Sequence, residues 1–161
     1  ARFLINGDVV ESDFNQAFML LKESEEGGDA EPLYWLGNMY YYPDYERVNK
    51  DAARDYYERY VALEEERVES EGCMSADFAQ ASCNLAHLLL QNHSNADDYQ
   101  ARQLLDRVVD SHHTVADALF GYMLYEGRGG MKIKATGLDF MRKAAANGDS
   151  MARQFLRNYG Y

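Results

Sequence analysis

The chain has 161 residues, enough for one domain or one short repeat array that needs no disulfide or metal staples. Its 47% hydrophobic and 27% charged residues are ordinary for a globular protein. The formal net charge of −11 argues against a nucleic-acid binder, which needs basic counter-charge to phosphate, and against docking on anionic membranes.

The charge has a direction. Residues 1–125 hold 24 acids and 9 bases, whereas residues 126–161 hold 3 acids and 7 bases. Such asymmetry suits the orientation of a partner, or serves simply as a solvated acidic surface. No apolar run approaches the roughly 20 residues that span a bilayer, so no membrane insertion is expected. The sequence starts at Ala1 rather than Met, as a cleaved signal peptide or a domain fragment would. The compartment stays open, with periplasmic or secreted preferred to cytoplasmic. Cys73 and Cys83 are too few for a disulfide framework, and a bridge between them competes with a buried free Cys83.

Self-similarity organises the chain. A first pattern sets a small residue four positions before a large apolar one, or replaces the small residue by proline. It occurs at Pro32 and Leu36, Ala81 and Leu85, Ala116 and Phe120, and Ala152 and Leu156. A second pattern sets a small residue before apolar positions spaced 3, 4, 7 and 8 onward, which is one face of a helix. It runs in full from Ala53, Ala101 and Gly137, and from Ala17 with its first pair alone, Leu20 and Leu21. The step from second to first pattern is 19 residues in three cases, 17 to 36, 101 to 120 and 137 to 156. From 53 to 85 it is 32, an insertion of 13. The period is therefore 36 residues, interrupted once.

In chain order the pattern predicts helices near 13–26, 30–42, 50–70, 76–92, 97–111, 115–126, 135–147 and 149–158. Asp13, Asp29, Asp97 and Asp149 are candidate N-caps. Glycine and asparagine clusters mark the turns, among them Gly127–Gly130 and Asn147–Gly148. The insertion, within residues 61–77, reads as an acidic extension of the third helix, either a solvated arm or a partner contact. No helix of this kind buries its apolar stripe alone, so the units stack.

The stretch Tyr125-Glu126-Gly127-Arg128-Gly129, followed by Lys143-Ala144-Ala145 and Gly148, resembles the Sel1-like repeat, a relative of the tetratricopeptide repeat. Leu36-Gly37-Asn38-Met39-Tyr40 matches the Leu-Gly-x-x-Tyr of its first helix. The resemblance covers about residues 13–160. It implies an all-α, right-handed α/α solenoid of about four units, in a single domain spanning residues 1–161. Two departures stand out. Leu85-Ala86-His87-Leu88 lacks the glycine and tyrosine, and Gly137 replaces the usual alanine. The second change is expected to weaken its helix by about 0.5–1 kcal/mol.

No signature of catalysis appears: there is no GxSxG, HExxH or P-loop, and Gly127–Gly130 follows no strand. His87, His93, His112 and His113 offer no i,i+4 pair for a metal. The expectation is a protein that is not an enzyme and uses no cofactor or metal. In families with this pattern the first helix of each unit lines a concave groove. Carrying the register over places Tyr34, Asn38, Tyr41 and Tyr42 there, then Cys83, His87, Leu90 and Gln91. Further along come Ala118, Tyr122, Tyr125 and Glu126, and finally Gln154 and Asn158.

The partner-binding set expected from that face is Tyr34, Asn38, Tyr41, His87, Gln91, Tyr122 and Tyr125. Tyrosine supplies contact area at low entropic cost, and amides can pair with an extended backbone. For Tyr34, Tyr41 and Tyr122 a packing role competes evenly with the groove. For Tyr40, Tyr56 and Tyr57 packing is favoured. The function expected is a scaffold or adaptor that binds a peptide or protein segment. The alternative is an acidic inhibitor or immunity-type protein that neutralises a toxin or enzyme. Phe155 and Leu156, beside Arg153 and Arg157, leave an end suited to stacking on further repeats or on another copy.

Overall fold

A computed structural model describes residues 11–45, 47–72, 74–109 and 113–161. Cys73 and His112 lie outside them. Among the described residues the regular structure is helical: α1 (Glu11–Glu25), α2 (Ala30–Tyr41), α3 (Lys50–Glu71), α4 (Ala76–Gln91), α5 (Asn95–Val108), α6 (Thr114–Glu126), α7 (Lys134–Ala146) and α8 (Ser150–Asn158). A 3₁₀ turn, Pro43–Tyr45, follows α2. The helices fall where the 36-residue period predicts them, with ends displaced by up to three residues.

Capping explains the displaced starts. Ser94, not Asp97, opens α5: its hydroxyl lies 3.5 Å from the Asp97 amide nitrogen, so Asp97 sits inside the first turn. Asp149 caps α8 as expected, accepting from Ala152 N–H at 2.7 Å. Asp29 occupies the cap position of α2 without a side-chain bond, and Asp13 falls within α1. Asn49 and Ser75 cap α3 and α4, accepting from Ala52 N–H and Phe78 N–H. The insertion is mostly helix: α3 runs 22 residues to Glu71 and stops at Gly72, a left-handed C-cap with φ 68°.

The chain forms two compact units, residues 1–73 and 74–161. In the first, α2 packs on both α1 and α3. Its core is aromatic. Tyr40 stacks on Tyr56 with centroids 5.7 Å apart, Tyr34 meets Tyr60 at 5.4 Å, and Tyr41 meets Tyr57 edge-on at 5.9 Å. Gly37 makes room for this: a Cβ there would lie 2.7 Å from the Tyr57 ring.

In the second unit α4 packs on α5 and α6, α6 on α7, and α7 on α8. The core is mainly aliphatic, with Leu85, Leu89, Leu105, Met123 and Met141 essentially inaccessible. Lys143 Nζ donates to the fully buried Asp117 carboxylate at 3.1 Å, tying α7 to α6. Gly137 now has a packing reason. A Cβ on it would lie 2.7 Å from the Gly121 carbonyl oxygen, and a Cβ on Gly121 would lie 2.9 Å from the Gly137 carbonyl oxygen. The two glycines face one another, and their lost helix propensity is exchanged for backbone-to-backbone approach of α6 and α7.

Candidate functional site

The second unit contains an open cavity of about 470 Å³. Its apolar lining comes from every helix except α5: Leu90 of α4, Leu119 of α6, Met141 of α7, and Met151 and Phe155 of α8. Its polar lining is His87 and Gln91 of α4, Tyr122 of α6, and Gln154 and Asn158 of α8. His93 and Arg128 complete it from the turns after α4 and α6.

Helical spacing puts these groups on the correct faces. His87 and Gln91 are i,i+4 neighbours, with Gln91 Nε2 and His87 Nε2 3.2 Å apart. On α8 the positions 151, 154, 155 and 158 form one stripe, and Gln154 Nε2 donates to Asn158 Oδ1 at 2.8 Å. His87, Gln91, Gln154 and Asn158 are exposed, Tyr122 is half-buried, and Leu90, Leu119, Met141 and Phe155 are buried. The cavity thus has an apolar floor and an amide-and-imidazole rim. Among the described residues no carboxylate lines it.

Arg128 is set by the turn that carries it. Gly127 adopts a left-handed conformation and its N–H bonds to the Met123 carbonyl at 2.8 Å, ending α6. Gly129 lets the turn lie against α5, because a Cβ there would come 2.2 Å from the Asp98 carbonyl oxygen. Arg128 Nε donates to Asp98 Oδ2 at 2.9 Å, and Nη2 donates to Asp98 Oδ1 and to the Leu90 carbonyl. The Asp98 carboxylate holds the guanidinium above its ordinary pKa, against an opposing effect of burial. Arg102 secures the turn from the far side by donating to the Arg128 and Met131 carbonyls.

The residues expected on the partner-binding face divide between the units. His87, Gln91 and Tyr122 converge on the cavity, together with Gln154, Asn158 and Leu90 from the same register. Tyr125 is buried and packs edge-on against Phe155 at 5.0 Å, so it supports the cavity wall without lining it. In residues 1–73, Tyr34 is buried, and Asn38 is buried and accepts from the Tyr57 hydroxyl at 2.7 Å. Tyr41 is half-buried between Tyr42 and Tyr57.

Sequence reasoning missed Arg128, His93, Leu119, Met141, Met151 and Phe155 as lining residues, Phe155 being expected at an end suited to stacking. Met141 carried the signal of a core position in the second pattern, and a core position at the edge of a cavity looks no different in sequence. Arg128 was read as part of a turn, which it is; only the fold shows that the turn borders the cavity.

Cys83 also belongs to the register but is buried in the core. Its thiol lies 3.4 Å from His113 Nδ1, and His113 Nε2 lies 3.2 Å from Gln80 Oε1. Burial pushes the Cys83 pKa up to about 12, so the sulfur is a thiol and not a thiolate nucleophile at neutral pH. Among the described residues no three His, Cys, Asp or Glu side chains are placed to hold a metal ion. Among the same residues no helix is long and apolar enough to cross a membrane.

The chain resembles solved structures of one class. A protective antigen present in uropathogenic Escherichia coli strains, which displays an SLR fold, superposes with a TM-score of 0.71 at 21% identity. That match covers 97% of this chain and 31% of the antigen, so the present chain spans about a third of its length. A Sel1 repeat protein from Oxalobacter formigenes superposes with a TM-score of 0.58 at 22% identity, over 89% of this chain and 98% of that one. No family model matches the sequence, and no curated protein matches it. The likeness shows the fold: among the described residues the chain is all-helical, and its helical-repeat fold is like that of solved Sel1-repeat proteins.

Proposed function

We propose that the protein is an interaction module that holds an extended peptide or protein segment at the cavity of residues 74–161. The observation that carries this reading is the cavity itself, with an apolar floor beneath a rim of amides and imidazole. Burial of an apolar side chain on Leu119, Met141 and Phe155 supplies affinity. The Gln154–Asn158 bond lies on the surface, and an exposed bond of that kind is worth only about 1 kcal/mol net. Those amides can therefore exchange it for a peptide backbone at little cost.

Selection of a phage-displayed library of linear peptides on the immobilised chain tests this. Enriched peptides should lose roughly tenfold or more in affinity on Tyr122→Ala and on Gln91→Ala/Gln154→Ala, while helix content stays that of the parent. No enriched peptide, or full affinity in both variants, rejects the reading. The acidic-inhibitor alternative is separated by salt. Binding at this rim, whose one permanent charge, Arg128, is paired with Asp98, changes little between 50 and 500 mM NaCl, whereas a partner steered by acidic residues weakens steeply over that range.

A further inference from the structure

The lining of the cavity says which side chain it takes. We infer that its occupant is an uncharged aromatic ring, presented as a phenylalanine, tyrosine or tryptophan side chain of the bound segment. This rests on the peptide reading above.

Charge comes first. Of the residues that line the cavity, Arg128 is the one with a permanent charge, and that charge is already matched. Asp98 grips two nitrogens of the guanidinium, and the Leu90 carbonyl accepts from one of them. A carboxylate entering the cavity would have to compete with Asp98 for its counter-ion, and a buried unpaired carboxylate is costly. An ammonium finds no carboxylate on the wall to meet it. The occupant is neutral.

Shape and polarisability then favour a ring over an aliphatic chain. The exposed Met151 thioether borders the cavity, where sulfur contacts an aromatic edge favourably, and the buried Met141 lies in the floor within reach of a ring current. The Phe155 and Tyr122 rings stand at 89° to one another with centroids 6.2 Å apart, so the wall offers both a ring face and a ring edge. A third ring can meet one of them edge-to-face. Gln91, His87 and Asn158 at the rim can accept from or donate to the polar tip of a tyrosine or tryptophan.

The test reads the two methionines directly. The full chain, carrying ¹³C-methyl methionine, is titrated with N-acetyl-tryptophanamide, N-acetyl-leucinamide and N-acetyl-aspartic acid amide. Met141→Leu and Met151→Leu variants assign the two methyl signals. Tryptophanamide should shift both methyls upfield through its ring current and saturate. Its Kd should be at least tenfold below that of leucinamide, and the aspartic acid amide should leave both signals in place. Met151→Glu, a change at a side chain already 42% exposed, should weaken tryptophanamide at least fivefold in a folded protein. Equal or tighter binding of the leucine or aspartate probe overturns the inference, as does a shift confined to other methionines. Failure of the parent reading looks different. If library selection yields peptides with no aromatic preference, the peptide reading stands and the aromatic inference falls. If tryptophanamide binds as stated and no peptide is enriched, the peptide reading falls and the aromatic cavity remains.

Discussion

Residues 1–73 and residues 74–161 build on the same helical repeat with different charge and different cores. The first unit carries 18 acids, 7 bases and 8 of the 13 tyrosines, so the whole net charge of −11 resides there. The second carries 9 acids and 9 bases. Tyrosine abundance suggests a binding surface, yet Tyr34 and Tyr60 are buried against each other, Tyr56 against Tyr40, and Tyr57 against Tyr41 and Asn38. The apolar cavity is found in the other unit, where the core is mainly aliphatic and polar side chains of the register remain exposed; a cavity of the same volume in the first unit is lined mostly by charged groups, Lys22, Glu23, Glu25, Glu26 and Arg59. A large amphipathic ring at a repeat position is as able to fill the stack as to face a partner. Neighbours decide which: Tyr34 and Tyr41 of α2 meet Tyr60 and Tyr57 of α3, whereas on α6 the Phe155 ring buries Tyr125 and leaves Tyr122 half-buried at the cavity.

The contrast can be broken most forcefully at Met141, which is inaccessible and belongs at once to the core and to the cavity floor. Met141→Ala should cost about 2–5 kcal/mol, read by urea unfolding, and should remove peptide binding. Stability and binding are thus coupled in residues 74–161. Tyr57→Phe is the counterpart in the first unit. It leaves the buried Asn38 carbonyl oxygen without the 2.7 Å bond it accepts, which should cost about 1–3 kcal/mol while peptide affinity stays within twofold. Loss of binding in folded Tyr57→Phe would erase the division of labour.

Much of this was legible because a helical repeat repeats its spacing. The offset of 19 residues between patterns places α1 with α2, α5 with α6 and α7 with α8 before any contact is known. The Lys143-Ala144-Ala145 and Gly127-Arg128-Gly129 motifs locate one helix end and one turn. The register brings His87, Gln91 and Tyr122 to one face because helix geometry fixes which residues share it. Burial was not legible, since it depends on what the facing helix supplies. Tyr34 and Asn38 meet rings of α3, and nothing in the spacing of α2 reveals that. Gly137 illustrates the same limit: propensity alone marks it as a weak point, and the facing Gly121 carbonyl makes it a contact.

The smallest effect expected is a pH dependence confined to the second unit. His113 lies against Cys83 Sγ and Gln80 Oε1, and burial lowers its pKa below the ordinary 6.5 although Asp117 pulls it upward. The folded state therefore favours the neutral ring, and the unfolded chain binds the proton more readily. The stability this contributes is complete above pH 6.5 and is lost as pH falls toward and through the lowered value. Urea midpoints should decline from pH 7.5 to pH 5.5, and His113→Gln, which keeps a polar side chain beside Gln80, should flatten that decline. A decline of equal depth in His113→Gln would assign the proton uptake to another group. A midpoint that rises toward pH 5.5 would mean that Asp117 outweighs burial and that the imidazolium is the form the fold prefers.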